Sequence, residues 1–121
     1  GTVEIARRDT LSKSIVTQDE ITQYVSSQLS QIQSDLFEKA KAFRSENITV
    51  VDDFATFQEV INGKGGFVSA HWDGTNESEE AIKKATKATI RCIPLDNEKE
   101  DGVCIYSGKP SQQRVLFAKS Y

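Results

Sequence analysis

A run of apolar residues spaced by threes and fours constrains this chain most: Ile21, Tyr24, Val25, Leu29, Ile32, Leu36, Phe37, Ala40 and Phe43. That spacing follows one stripe of an α-helix. The helix is expected to open at Thr17, because Thr17 and Glu20 have the spacing of a capping box, with Val16 and Ile21 placed as a hydrophobic staple. It is expected to stop near Asn47. At about 1.5 Å per residue it runs roughly 40 Å, longer than a small core needs, so it reads as an arm connecting two bodies. The polar stretch Ser26 to Ser34 keeps the same period and reads as a solvated face.

The core must then come from residues 48–121. Ile48 to Val51 reads as a short strand and Phe54 to Asn62 as a short helix, with Asp52 or Asp53 as its cap and Gly63 as a left-handed stop. Phe54, Phe57 and Ile61 form its apolar face. Gly65 and Gly66 release the chain into a strand from Phe67 to Trp72, and Asn76 with Glu79 marks the cap of a helix through about Lys87. Strands are expected at Thr89 to Leu95, at Val103 to Tyr106 after an acidic turn, and at the end of the chain beyond a loop from Ser107 to Gln113. Helices alternate with strands, and then strands follow strands. The pattern favours an α+β class: the long helix, then a small sandwich with a mostly antiparallel sheet.

Composition sets limits on function. The chain has 121 residues, 37% hydrophobic and 27% charged, enough for one modest core and unlike a fibrous or disordered sequence. Residues 1–82 carry 7 Lys/Arg against 14 Asp/Glu, whereas residues 83–121 carry 8 against 4. A basic end of this kind either faces nucleic acid or is ordinary solvated surface. No apolar run approaches the length that spans a bilayer, and no stretch reads as a secretory or transit segment. Cys92 and Cys104 are too few for a disulfide framework and read as small packed residues.

Residues that carry chemistry are sparse. His71, the single histidine, stands beside Trp72 and Asp73. A small hydrolase centred on it would need a nucleophile within hydrogen-bond reach, and neighbouring strand residues point to opposite faces. Ser69 and Ser120 lack a nucleophile-elbow context. Gly63-Lys-Gly-Gly66 lacks the Walker spacing and follows a helix, so it reads as a turn. Arg7, Arg8 and Lys13 form a small basic group able to touch RNA, with Glu4 and Asp9 beside them as surface partners.

The last eight residues, Arg114-Val-Leu-Phe-Ala-Lys-Ser-Tyr121, read as a strand reaching the end of the chain. Val115, Phe117 and the ring of Tyr121 alternate with Leu116, Ala118 and Ser120. Chain ends usually fray, so a strand here is expected to hold the terminal carboxylate in place. Two further segments belong with it, Gly65-Gly-Phe-Val-Ser-Ala-His-Trp-Asp-Gly74 and Lys87-Ala-Thr-Ile-Arg-Cys-Ile-Pro-Leu-Asp-Asn97. Together they resemble the C-terminal region of prolyl-tRNA synthetases of the archaeal and eukaryotic type, a form that some bacteria also carry. Gly1-Thr-Val-Glu-Ile-Ala-Arg-Arg-Asp-Thr10 is similar to the last strand of that family's anticodon-binding domain, so the chain is expected to begin inside a longer protein.

The resemblance implies three parts: the end of the anticodon-binding domain over 1–16, a connecting helix over 17–47, and the family's C-terminal domain over 48–121. It also implies a parent class II enzyme, a cytoplasmic homodimer that uses ATP and Mg to attach proline to tRNA(Pro). The segments that activate the amino acid are missing from this chain, so the chain alone is expected to be inactive and to need no cofactor. Its partners would be tRNA(Pro) and the catalytic and anticodon-binding domains of the same enzyme, without a membrane. The Tyr121 carboxylate would be directed toward the active site in a supporting role. Family members often hold zinc with four cysteines in this domain, and the corresponding positions here are Asp73, Ser78, Cys104 and Ser107. One thiolate, one carboxylate and two hydroxyls are a poor set for a structural zinc, so no metal is expected. A free-standing α+β module that binds RNA or a protein is the alternative reading.

Overall fold

The computed structural model describes residues 1–121, which divide into two compact units, Gly1–Phe43 and Arg44–Tyr121. In the first, β1 (Thr2–Ala6) and β2 (Lys13–Thr17) form an antiparallel hairpin in which Val3 faces Val16 and Ile5 faces Ser14. The resemblance implies a single strand here. A turn through Leu11, at φ 58°, and the bond from Arg7 N–H to the Ser12 carbonyl at 2.9 Å make it two.

Helix α1 (Ile21–Glu46) follows a short 3-10 turn over Gln18–Glu20. The expected capping box is not formed: the Thr17 hydroxyl donates to the Glu20 carboxylate at 2.6 Å and caps no backbone amide. The tighter 3-10 turn takes up the first residues, so the α-helix proper begins later. Ser26 and Ser30 donate back to the carbonyls of Thr22 and Ser26, at 2.9 and 3.3 Å. These bonds satisfy the hydroxyls within the helix and let a polar stretch stay helical. Ile21, Tyr24, Gln28, Ile32 and Asp35 are half-buried, whereas Val25, Leu29, Leu36 and Phe37 are exposed.

The second unit is built on a four-stranded sheet in the order β3 (Ile48–Val50), β4 (Phe67–His71), β8 (Arg114–Lys119), β5 (Ala88–Cys92). β3 and β4 are parallel and the other two pairings antiparallel, matching the expected mostly antiparallel sheet. The parallel pair needs a crossover, supplied by α2 (Phe54–Asn62). Helix α3 (Asn76–Thr86) connects β4 to β5. Phe57 and Ile61 of α2 and Ile82 of α3 pack with Val68, Ala70, Ala88, Val115 and Phe117 in one core. Phe57 meets Phe117 edge-on, centroids 5.2 Å apart. A small hairpin, β6 (Gly102–Val103) with β7 (Pro110–Ser111), sits between β5 and β8 in sequence.

Several boundaries differ from expectation for local reasons. Asp53 caps α2 by accepting from Thr56 N–H at 2.8 Å, but Gly63 sits at φ −103°, and the left-handed residues are Gly65 and Gly66. At Gly66 a side chain would meet the Asn47 carbonyl at 2.6 Å. Thr75, not Asn76, caps α3, and Lys87 at φ 65° ends it. β5 stops before Leu95 because Pro94 brings no N–H to a ladder. Cys104 to Gly108 turn tightly where a longer strand is predicted, with Gly108 N–H on the Cys104 carbonyl at 3.0 Å. The terminal strand ends at Lys119, and Tyr121 is fully exposed, outside the alternation that buries Val115 and Phe117.

Candidate functional site

The four positions that the resemblance aligns with zinc-binding cysteines, Asp73, Ser78, Cys104 and Ser107, converge. Asp73 follows β4, Ser78 lies in the first turn of α3, and Cys104 and Ser107 belong to the turn between β6 and β7. The Asp73 carboxylate joins them. Its Oδ1 accepts from Ser78 Oγ at 2.6 Å, Thr75 Oγ1 at 2.8 Å and Thr75 N–H at 3.0 Å, while Oδ2 accepts from Ser107 Oγ at 2.6 Å. Burial opposes its ionisation, but the hydroxyls of Ser107, Ser78 and Thr75 outweigh it and hold the carboxyl well below the usual carboxylate range.

Cys104 is buried beside this cluster. Burial pushes its thiol up, yet hydrogen bonding from Ser107 and the backbone amides of Ser107, Tyr106 and Asp73 brings it below the ordinary thiol value. The donor set does not suit zinc: one thiol, one carboxylate already taken on both oxygens, and two serine hydroxyls that donate to it. An anion holding a ring of hydroxyl donors does the cross-linking here. Thr75, at once cap of α3 and partner of Asp73, is a member of this cluster that sequence reading missed. Its position three residues before Ser78 is the signal that pointed to it.

His71, the last residue of β4, is buried, and Trp72 after it is half-buried. Its Nδ1 lies 3.1 Å from Ser111 Oγ, and Nε2 has no hydrogen-bond partner, with Glu100 Oε1 3.6 Å away. Gly102 packs against the imidazole so closely that any side chain there would strike it. The nearest hydroxyl, Ser111 Oγ, is buried and lies 2.7 Å from the Trp72 carbonyl and 3.0 Å from that of Gln113. That hydroxyl is committed to the main chain, so it is no nucleophile, and His71 reads as structural. Arg114 clamps the same region: it binds Glu100 at 2.9 and 3.0 Å, Asp52 at 2.5 Å and the Val51 carbonyl at 3.1 Å. The Arg114 guanidinium pulls Glu100 below the usual carboxylate range.

Of the basic group, Arg7 is engaged by acids. It binds Asp9 at 2.6 and 3.1 Å and Asp35 at 2.8 Å, which raises its own pKa and lowers both carboxyls. Lys13 pairs with Glu4 at 2.8 Å, and Arg8 is exposed. Arg7 and Lys13 thus sit in ion pairs.

Beyond β8, Ser120 Oγ accepts from Arg91 Nη2 at 2.6 Å, and the Ala118 carbonyl lies 3.4 Å from Arg91 Nε and Nη2. Tyr121 projects from there. A shallow cavity of 380 Å³ is lined by Phe67, Arg91, Ala118, Lys119, Ser120 and Tyr121.

A family model described as "Prolyl-tRNA synthetase, C-terminal" matches residues 54–121. A proline–tRNA ligase of Flavobacterium johnsoniae is 58% identical over 121 residues, which cover 100% of this chain and 25% of that protein. One of Christiangramia forsetii is 54% identical over the same shares, and one of Cytophaga hutchinsonii is 52% identical, again across 100% of the chain and 25% of the protein. The chain spans about a quarter of the length of these relatives.

Proposed function

The chain belongs to the family of prolyl-tRNA synthetase C-terminal regions, and from that premise we propose that its parent protein is a class II ligase attaching proline to tRNA(Pro). The reaction would proceed through ATP-dependent, Mg-assisted formation of prolyl-adenylate and transfer to the tRNA 3′ end. The observation that carries this reading is identity of 58% to a proline–tRNA ligase along the whole chain. The parent would be a cytoplasmic homodimer of the archaeal and eukaryotic type that some bacteria also carry. Residues 1–16 would close the anticodon-binding domain, 17–47 would connect, and 48–121 would form the C-terminal domain.

Within that enzyme, the domain supports the active site from outside through the segment ending in Tyr121. A fixed anion near a site can orient cationic groups there without reorganising during the reaction. The domain does so without zinc. That reading is supported by the Asp73 cluster, whose hydroxyl donors occupy the positions of metal ligands. The alternative of a free-standing binding module has less support, since Arg7 and Lys13 already face carboxylates.

The test is charging of tRNA(Pro) with proline by the full-length protein, beside proline-dependent ATP–pyrophosphate exchange by the 121-residue chain alone. Charging by the first and background exchange by the second are expected. Failure of the full-length protein to charge tRNA(Pro), or measurable exchange by the isolated chain, would overturn the assignment of roles.

A further inference from the structure

The pairing of β5 with β8 slips by one residue: Ile90 faces Phe117, and Cys92 faces Leu116. Two steps on β5 therefore oppose one on β8, which makes Arg91 the extra residue of a β-bulge, without a partner of its own on the ladder. A bulge bends the strand and re-aims the side chain it carries. Here the guanidinium turns toward the end of β8, where it reaches the Ala118 carbonyl at 3.4 Å and Ser120 Oγ at 2.6 Å.

The location of this contact gives it consequence. β8 ends at Lys119, so the ladder no longer holds Ser120 or Tyr121. An exposed segment that leaves a sheet is poorly held unless something ties it down. Arg91 fastens Ser120, and Tyr121 then lies one residue from the anchor, within a reach of about 3.6 Å. Both groups line the same shallow cavity with Phe67 and Lys119. The fork of the guanidinium suits this task, because its donors lie in a fixed plane and can take a backbone and a side-chain oxygen together.

We propose that Arg91 is a positioning residue for the parent reaction: by clipping Ser120 it sets where Tyr121 is presented. This rests on the reading that the Tyr121 segment supports the active site. The experiment uses the full-length synthetase in four forms: wild type, Arg91→Ala, a form lacking Ser120 and Tyr121, and the combination. Proline-dependent ATP–pyrophosphate exchange is measured with thermal unfolding beside it. Arg91→Ala should lower exchange roughly tenfold, since misplacing a supporting group by an ångström is enough for such losses. It should leave the thermal midpoint in place and divide its effect between kcat and KM as the deletion does. The combined form should be no slower than the deletion alone, within about twofold. Arg91→Lys should recover part of the rate, and Ser120→Ala, which removes the acceptor and leaves the sheet intact, should reproduce the loss.

A wild-type rate for both Arg91→Ala and Ser120→Ala beside a slow deletion would overturn the role of Arg91 alone. A combined loss equal to the product of the two would do the same, by showing that Arg91 acts elsewhere. A wild-type rate for the deletion would overturn the reading of the Tyr121 segment, and the role of Arg91 with it.

Discussion

Replacing Asp73 tests whether its carboxylate holds together the two loops that its hydrogen bonds join, the one leading into α3 and the turn between β6 and β7. The side chain accepts four hydrogen bonds, from Thr75 N–H, Thr75 Oγ1, Ser78 Oγ and Ser107 Oγ, between 2.6 and 3.0 Å. A hydrogen bond to a charged group contributes about 1.5 to 3 kcal/mol, but the four do not add. In Asp73→Ala, Ser78 Oγ keeps the Thr75 carbonyl at 3.1 Å, and the exposed Ser107 turns to water. What is lost is the link between the two loops and the partner of Thr75 N–H. With the carboxylate half-buried and partly screened by solvent, we expect a cost of about 2 to 4 kcal/mol. Asp73→Asn keeps Oδ1 for Thr75 and Ser78 and can donate to Ser107, so it forfeits mainly the charge, about 1 to 2 kcal/mol.

Urea unfolding followed through Trp72, the single tryptophan and the neighbour of Asp73, reads both values. The pH dependence has a definite sign. The folded Asp73 carboxyl is held below its ordinary value of 3.8, so its stabilisation is complete above that value and is lost as the pH falls through the folded one. The gap between wild type and Asp73→Asn should therefore be constant from about pH 5 to 7 and narrow below about pH 4. Variants within about 0.5 kcal/mol of wild type, or a gap that widens in acid, would refute the cross-link.

Two further outcomes follow from the same architecture. Phe117, fully buried and edge-on to Phe57, should cost roughly 3 to 5 kcal/mol when replaced by alanine, read as a lower urea midpoint with an unchanged slope. Elemental analysis of the purified protein should find no stoichiometric zinc, and a strong chelator should leave the thermal midpoint unmoved; one zinc per chain, lost on Cys104→Ala, would contradict this.

Much of the second unit was legible because its signals are local. The Asp53 cap, the Phe57 and Ile61 face and the Val115 and Phe117 alternation each depend on a few adjacent residues. Thr75 was misread because Thr and Asn are both good caps and stand side by side; only the bond from Ser78 N–H to Thr75 Oγ1 decides between them. The bulge at Arg91 was out of reach for a different reason, since register is a property of two paired strands and no single segment encodes it. The alternation of β8 extended too far on paper: Lys119 already has its side chain in solvent, so the apolar face ends before Tyr121. At the Asp73 cluster the resemblance picked out the positions, but four hydroxyl and amide donors gathered on one anion become visible only once the loops are folded together.

The central proposal is that this domain supports proline activation in the full-length enzyme through the Tyr121 segment, and it is tested most directly by adding one glycine after Tyr121 in that enzyme. The extension shifts a charge carried just beyond Tyr121 by about 3.8 Å and keeps both the tyrosine ring and the Arg91 contact with Ser120. Prolyl-adenylate formation, followed by proline-dependent ATP–pyrophosphate exchange, should fall while the thermal midpoint stays in place. Exchange at the wild-type rate in the extended enzyme would contradict the account and leave Tyr121 as a ring that merely fills space.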